Sequence, residues 1–279
     1  MKLMRIFLKI SKWIILICIG CVAYGLFVEP KTLEVRGPQF TSNKYTGPPL
    51  RIGIISDIHI GGMHVPAKRV EKLVADMNEL KPDLVLLPGD FVGTHLSLEE
   101  ASDEFNAEIK KGVGYLANLK APAFAVLGNH DALYDRETMT RMIEATGLTL
   151  LENKAVIFGG ICLVGLGDYK TSFADRAAYN TCPKGMPPIA FTHSPQAWES
   201  FRSDTVLAIA GHTHGGQVNL PIYGRRVNST NLGPEHSYGF SKLGGVDVFV
   251  SAGVGTSILP VRFRAPPEVV LITLTAGRP

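Results

Sequence analysis

Cysteine is scarce in this chain of 279 residues: there are four. Cys18 and Cys21 sit in an apolar leader, and Cys162 and Cys182 are too far apart for a CxxC site. A disulfide-built scaffold and a cysteine-rich structural zinc site are therefore excluded, and so few thiols do not reveal the redox compartment. Whether Cys162 and Cys182 pair stays open. Charge is also sparse, at 19% of residues, and unevenly placed. Lys2, Arg5, Lys9 and Lys12 precede Val28 with no acid among them, so taking these four from the formal net charge of +3 leaves the remainder near −1. A folded domain of that charge lacks the basic stripe that nucleic acid requires. The chain has no internal repeat and no low-complexity tract, which excludes solenoids and leaves an ordinary globular chain of one large or two small domains.

The longest feature present is the leader. Residues 13–28 are an unbroken apolar stretch of about the minimum length that crosses a bilayer, and residues 6–10 lengthen it if Lys9 and Lys12 turn their ammonium groups back to the surface. Membrane attachment follows, in one of two modes. The basic residues recur at intervals of three and four, one stripe of a helix, which suits a helix lying in the interface against anionic lipid. A true span would keep the basic N-terminus cytoplasmic and put the domain on the far side. A cleaved signal peptide fits less well, because the run ends at Glu29-Pro30 with no small-x-small site. Cys18-Ile19-Gly20-Cys21 hints at lipid attachment, yet much of the apolar run follows it, where it ought to precede it. Residues 29–49, with Pro30, Gly37, Pro38, Gly47, Pro48 and Pro49, read as a linker or an edge strand. The expected organisation is a membrane segment at 1–28, a linker at 29–49 and one globular domain at 50–279.

Within that domain, residues 50–56, 84–87 and 124–127 read as buried strands, and 67–80 as a helix with Val70, Leu73, Val74 and Met77 on one face. Ser97 with Glu100 makes a capping box that predicts a second helix reaching to about 119, with Lys110 and Lys111 solvated and Gly112 and Gly114 weakening its end. Another helix is predicted at 137–145, stopped by Gly147. Beyond it come short strands: a hairpin of 155–158 and 161–164 across Gly159-Gly160, then 188–192 and 206–210 separated by a short helix near 196–202. Residues 168–188 are polar and irregular, a cap or substrate loop, and tail strands lie near 246–251 and 268–275. The fold class is α/β, with two packed sheets and helices outside.

The chemistry gathers where strands end. Residues 206–216, VLAIAGHTHGG, begin as a strand, break at Gly211 and present His212 and His214, which project the same way if the backbone stays extended. Gly211, Gly215 and Gly216 let the backbone approach an ion or a substrate. Alone, this is equally a solvated loop. The same design occurs four more times: Asp57 and His59 after 50–56, Asp90 after 84–89, Asn129, His130 and Asp131 after 124–128, and His193 after 188–192. In a mostly parallel sheet the carboxyl ends of the strands share one edge, where ligands bind, so five such endings point to a common site. Asp57, His59, Asp90, Asn129, His193, His212 and His214 form a mixed oxygen and nitrogen set, suited to first-row divalent ions rather than to calcium or closed structural zinc. Seven donors exceed the need of one ion. Two divalent ions sharing a carboxylate are expected, manganese foremost with iron or zinc as alternatives, activating a water toward pKa ~7 and clamping a phosphoryl group.

The motifs D-x-H at Asp57 and His59, G-D at Gly89-Asp90, G-N-H-D at 128–131, a lone His193 and G-H-x-H at 211–214 occur in the order found in calcineurin-like metallophosphoesterases. The chain resembles that family over roughly residues 50–275. The resemblance implies a four-layer α/β/β/α sandwich, with Asp57, His59 and His214 on a first metal, Asn129, His193 and His212 on a second, and Asp90 bridging them. It also implies that His130 is catalytic, stabilising the transition state or protonating the leaving oxygen, with Asp131 orienting its ring. The G-H-T-H-G-G-Q run through Gln217, the tail from Pro234-Glu235-His236 to Pro266-Pro267 and the apolar leader narrow the likeness to the bacterial membrane-associated branch typified by YaeI and YkuE. That branch includes enzymes that cleave the pyrophosphate of UDP-diacylglucosamine in lipid A synthesis.

The expected function is a dinuclear metal-dependent phosphodiesterase or pyrophosphatase at the bacterial inner membrane, side open, acting on a lipid-linked phosphorylated substrate. Its partners are that substrate and the membrane, not nucleic acid. The alternatives are a UDP-2,3-diacylglucosamine pyrophosphatase and a catalytically silent scaffold of the same fold. Outside the motifs, His64, His95 and His236 read as surface or supporting residues, and Trp198 as packing. Arg262 and Arg264 read either as forks that meet substrate phosphate or as exposed strand charges.

Overall fold

The computed structural model of the chain describes residues 2–171, 173–225 and 229–277, so the end of the domain expected at 50–279 lies outside the described residues. The chain opens with helix α1 (Lys2–Phe27), whose apolar side chains stand mostly exposed. It is long and apolar enough to cross a membrane. Residues 29–49 are not a free linker. They form β1 (Glu34–Arg36) and β2 (Gln39–Ser42), and of the two readings of this stretch the edge strand holds. Gly37-Pro38 breaks the run, and proline is tolerated there because both strands lie at a sheet edge.

The remaining elements follow in order: β3 (Leu50–Ile54), α2 (Ala67–Glu79), β4 (Leu84–Leu87), α3 (Asp103–Tyr115), β5 (Ala123–Ala125), α4 (Asn129–Glu144), β6 (Thr149–Leu150), β7 (Lys154–Phe158), β8 (Ile161–Gly165), β9 (Pro188–Phe191), β10 (Leu207–Ala210), β11 (Gly239–Leu243), β12 (Val246–Val250) and β13 (Glu268–Ala276). One sheet runs β1-β13-β3-β4-β5-β6, with β2 also on β13; the other runs β11-β12-β10-β9-β8-β7. In the first, β3 to β6 are parallel and β13 is antiparallel to β3. In the second, β8, β9, β10 and β12 are parallel, with antiparallel hairpins at both edges. The β7–β8 hairpin turns on Gly159 and Gly160, whose φ of 54° and 82° match the tight turn that a twisted hairpin needs.

Both sheets are covered on both faces, which is why their central strands are continuous apolar runs. In β4, Leu84 and Leu86 face the other sheet, meeting a layer that includes Ile189, Phe191, Leu207 and Ile209. Val85 and Leu87 face outward to Val70, Leu73, Ile109 and Val113 of α2 and α3. The outer face of the second sheet is covered by 3-10 turns at Arg176–Thr181 and Pro195–Ser200, which bring Tyr179 and Trp198 into its cover. A disulfide joins Cys162 on β8 to Cys182 at the end of the first of these turns, which settles their pairing.

Two helices begin elsewhere than expected. Ser97 and Glu100 do hydrogen-bond, but they close an isolated turn. Helix α3 starts at Asp103, where Ser102 accepts from the Phe105 amide and two acids favour the first turn. Helix α4 begins at Asn129 rather than 137 because its first turn carries site residues. It breaks at Asp135, whose carboxylate accepts from the Thr138 amide and caps the expected second half.

Candidate metal centre

Seven donor residues gather at the carboxyl edge of both sheets. Asp57 and His59 follow β3, Asp90 follows β4, Asn129 opens α4 after β5, His193 follows β9, and His212 and His214 follow β10. Five of them hold the backbone in the left-handed region: φ is 48° at Asp57, 52° at His59, 56° at Asp90, 69° at His212 and 52° at His214. Such conformations persist where surrounding structure over-determines them, and they concentrate at functional sites. The glycines allow the carboxylates to lie against main chain. A Cβ on Gly128 would collide with Asp90 Oδ1, and one on Gly211 with Asp57 Oδ2.

The donor atoms form trios. Asp57, His59 and His214 make one, and Asp90, His193 and His212 another; His59, Asp90 and His130 overlap the first. His59 Nε2 faces His214 Nε2 at 3.2 Å, and His193 Nε2 faces His212 Nδ1 at 2.9 Å. Asn129 Oδ1 lies 3.2 Å from His193 Nε2. Asp90 Oδ2 stands between the groups, 3.2 Å from His193 Nε2 and 3.6 Å from His59 Nε2.

One loop sets the orientation of three rings. Past β4, Pro88 O lies 2.8 Å from His193 Nδ1, Val92 O lies 3.2 Å from His59 Nδ1, and Thr94 O lies 2.7 Å from His130 Nδ1. A carbonyl accepts only, so each Nδ1 carries a proton, and in the neutral rings of His59 and His193 the Nε2 aims a lone pair into the site. Lone pairs facing one another and a carboxylate repel unless a cation sits among them. Asp57 Oδ2 and His212 Nε2, buried and without a protein partner, add to the demand. The residues therefore fit divalent metal.

The resemblance assigned Asp131 to the His130 ring, and the structure corrects this. Asp131 accepts from the amides of Asp90, Phe91, Val92 and Gly128, so it shapes the loop, while Thr94 O orients the ring. His130 Nε2 faces a cleft of about 290 Å³ whose lining includes His59, Met63, His95, Ser257 and Ile258. His95 is exposed, its ring 4.3 Å from that of His130.

Burial sets the electrostatics. It lifts the Asp57 carboxyl to about 6 and, with Asp90 beside it, that of Asp131 to about 7. It pulls His59 and His212 down to about 3, and His214 well down. Asp90 goes against the trend: burial raises it, but His193, His130 and His59 together hold it well below the usual carboxylate range. His193 is the complement: burial lowers it, but Asp90, Asp168 and Asp57 together raise it well above the usual imidazole range.

Arg262 is neither a substrate fork nor a surface charge. It is fully buried, donating to the carbonyls of Ala252, Gly253, Gly255 and Ala265, with Nη2 3.5 Å from His214 Nδ1. Arg264 is exposed. His64 is buried and meets Pro260 O, and His236 pairs with Glu235 away from the donors. The sequence reading missed Asp168, a buried acid whose carboxyl burial raises and whose charge is felt at His193. The signal was available, since β8 also runs into an acid at the same sheet edge.

A profile of the calcineurin-like phosphoesterase family matches residues 50–253. A metallophosphoesterase of Helicobacter pylori is 30% identical over 237 residues, 81% of this chain and 60% of that protein, so the chain spans about 60% of that relative's length. Phosphodiesterase YaeI of Escherichia coli is 28% identical over 259 residues, 90% of this chain and 92% of that protein. Metallophosphoesterase YkuE of Bacillus subtilis is 26% identical over 269 residues, 91% of this chain and 90% of that protein.

Proposed function

We propose, from the premise that this chain belongs to the calcineurin-like phosphoesterase family, that it is a dinuclear metal-dependent hydrolase of a phosphodiester or pyrophosphate bond in a membrane-lipid-linked substrate. The observation that carries the reading is the meeting of two donor trios around Asp90, with ring nitrogens aimed at one another. Asp57, His59 and His214 would hold one ion and Asn129, His193 and His212 the other, with Asp90 shared. When bound, the ions supply concentrated positive charge and bring the pKa of a water toward ~7. The protein's own part falls to His130. Held by Thr94 O through Nδ1, its Nε2 faces the cleft; with a proton on both ring nitrogens it is placed to hydrogen-bond a phosphoryl oxygen or deliver a proton to the leaving oxygen. The complete donor set speaks against a silent scaffold.

Helix α1 supports attachment to the inner membrane, and its basic start favours a cytoplasmic N-terminus. The Cys162–Cys182 disulfide belongs to an oxidising compartment. Together they favour a catalytic domain on the outer side, which opposes a cytoplasmic UDP-linked lipid as substrate.

The test uses the purified full chain, manganese, iron or zinc, and bis(p-nitrophenyl) phosphate. Turnover with at least one ion is expected. His130→Ala lowers it by about 10²- to 10⁴-fold while elemental analysis still finds two metals per chain; Asp90→Asn loses both metal and turnover. A natively folded chain that is inactive with every ion would overturn the reading.

A further inference from the structure

We infer that loops 217–224 and 256–263 form a membrane-docking face, seating the mouth of the metal centre on the bilayer surface. The inference deepens the membrane part of the proposed function and rests on it.

The first observation is a pair of isoleucines. Ile222 is 102% exposed and Ile258 85%, and their φ values are 72° and 63°. A β-branched residue in the left-handed region is a genuine outlier, and glycine or asparagine serves a water-facing turn better. Leu220, Tyr223 and Leu259 beside them, and Met63 across the cleft, are also exposed. Large exposed apolar side chains gathered on two joined loops mark an interaction surface.

The occupant follows from what the rim is attached to. Gln217 stitches the two loops together, donating to Ser257 O and Leu259 O and accepting from the Ser257 amide. The Asn219 amide donates to Phe263 O. Both loops then pack on α1. The Arg262 amide donates to Gly25 O at 2.9 Å, and an apolar cavity of about 160 Å³ between them is lined by Cys21, Val22, Gly25, Val218, Leu220 and Val261. Glu29 accepts from the Arg264 and Ala265 amides, and Arg69 donates to Pro30 O, so the end of α1 is clamped to the domain.

Helix length then sets the depth. Counted from Lys12, the last basic residue before the unbroken apolar run, to Phe27 the helix rises about 22 Å at 1.5 Å per residue, less than the hydrocarbon core of roughly 30 Å. A span that leaves Lys12 at the surface therefore needs the whole of that stretch in the membrane, including Cys21 to Gly25, and brings the loops packed against those residues to the bilayer. Exposed Lys31 and Arg264 sit beside the clamp, where lipid phosphates would meet them. Ile258 and Leu259 also line the cleft that His130 faces, so one strap borders both lipid and site. A lipid-linked phosphate enters from the headgroup layer while its acyl chains stay in the bilayer.

The test reconstitutes the full chain in phosphatidylethanolamine–phosphatidylglycerol vesicles with dibrominated acyl chains. Ile222→Trp, Ile258→Trp and, at the opposite edge of the sheet, Lys120→Trp are compared with the parent chain, which carries Trp13 and Trp198. Blue-shifted, quenched added emission at 222 and 258, but not at 120, is expected. Absence of quenching at both overturns the docking face, and quenching at 222 alone overturns its extension to the site mouth. Hydrolysis of bis(p-nitrophenyl) phosphate by the same preparations reports the proposed function separately and, with circular dichroism, confirms that each variant is folded.

Discussion

Arg262 shows how a single residue can support a site without touching substrate. Burial lowers its pKa only to about 10, so it stays charged, with Asp57, Glu268 and Glu29 as electrostatic support. Its fork gathers the carbonyls of the 252–255 loop, which approaches Asp57 and His59 from behind. Arg262→Met removes the donor and leaves several buried acceptors unpaired, each costing about 1–3 kcal/mol. A loss above ~3 kcal/mol is expected, a fall in Tm of roughly 6 °C or more for a domain of this size. Arg262→Lys should recover only part, because an ammonium lacks the planar fork. Calorimetry of both variants checks this, and a Met variant as stable as the parent would refute the structural role. The sequence could not assign Arg262, since Val261 and Phe263 beside it fit an exposed strand as well as a buried one. The seven candidate donors were legible because each follows a strand end. Asp168 follows a strand end too and was passed over because the stretch it opens has the polar composition of a loop.

At the scale of elements, burial on both faces made β3, β4, β9 and β10 readable as apolar runs. Strand β11 was not readable, because its residues GFSKL alternate between partial burial and exposure and take their order from pairing with β12. The glycines of α3 were read alike, as weak points near its end, and tertiary packing separates them. A Cβ on Gly112 would come within 2.6 Å of Ile60 Cγ2, whereas one on Gly114 meets nothing within 4 Å. Ile60 is fully buried, so it has little room to yield. Gly114→Ala should therefore stabilise by roughly 0.5–1 kcal/mol. Gly112→Ala should destabilise by about 1–3 kcal/mol despite the same gain in helix propensity. Thermal melts of the two variants must move in opposite directions; a shared upward shift would mean that Gly112 packs on Ile60 more loosely than described.

For the whole molecule, the sheets are held by three apolar clusters that owe nothing to metal, while their shared edge concentrates buried acids. Asp57, Asp90, Asp131 and Asp168 are all buried there, and His193 is the neighbouring imidazole whose protonated form they favour. Removing metal should consequently loosen the edge and spare the core. A chelator-treated chain is expected to keep its far-ultraviolet circular dichroism but to gain protease cleavage in the loops at 88–94 and 211–217, where left-handed non-glycine residues depend on their surroundings. Each ion at one hundred times its dissociation constant adds about 2.7 kcal/mol to the folded state, which at this size raises Tm by roughly 5–10 °C per ion. Asp90→Asn should not respond to added ion, because the carboxylate that stands between the two trios is gone. If melting and proteolysis of the parent were indifferent to chelator and to refilling, the buried acids would have to be balanced within the protein, and the convergence of lone pairs on Asp90 would have no cation to explain it.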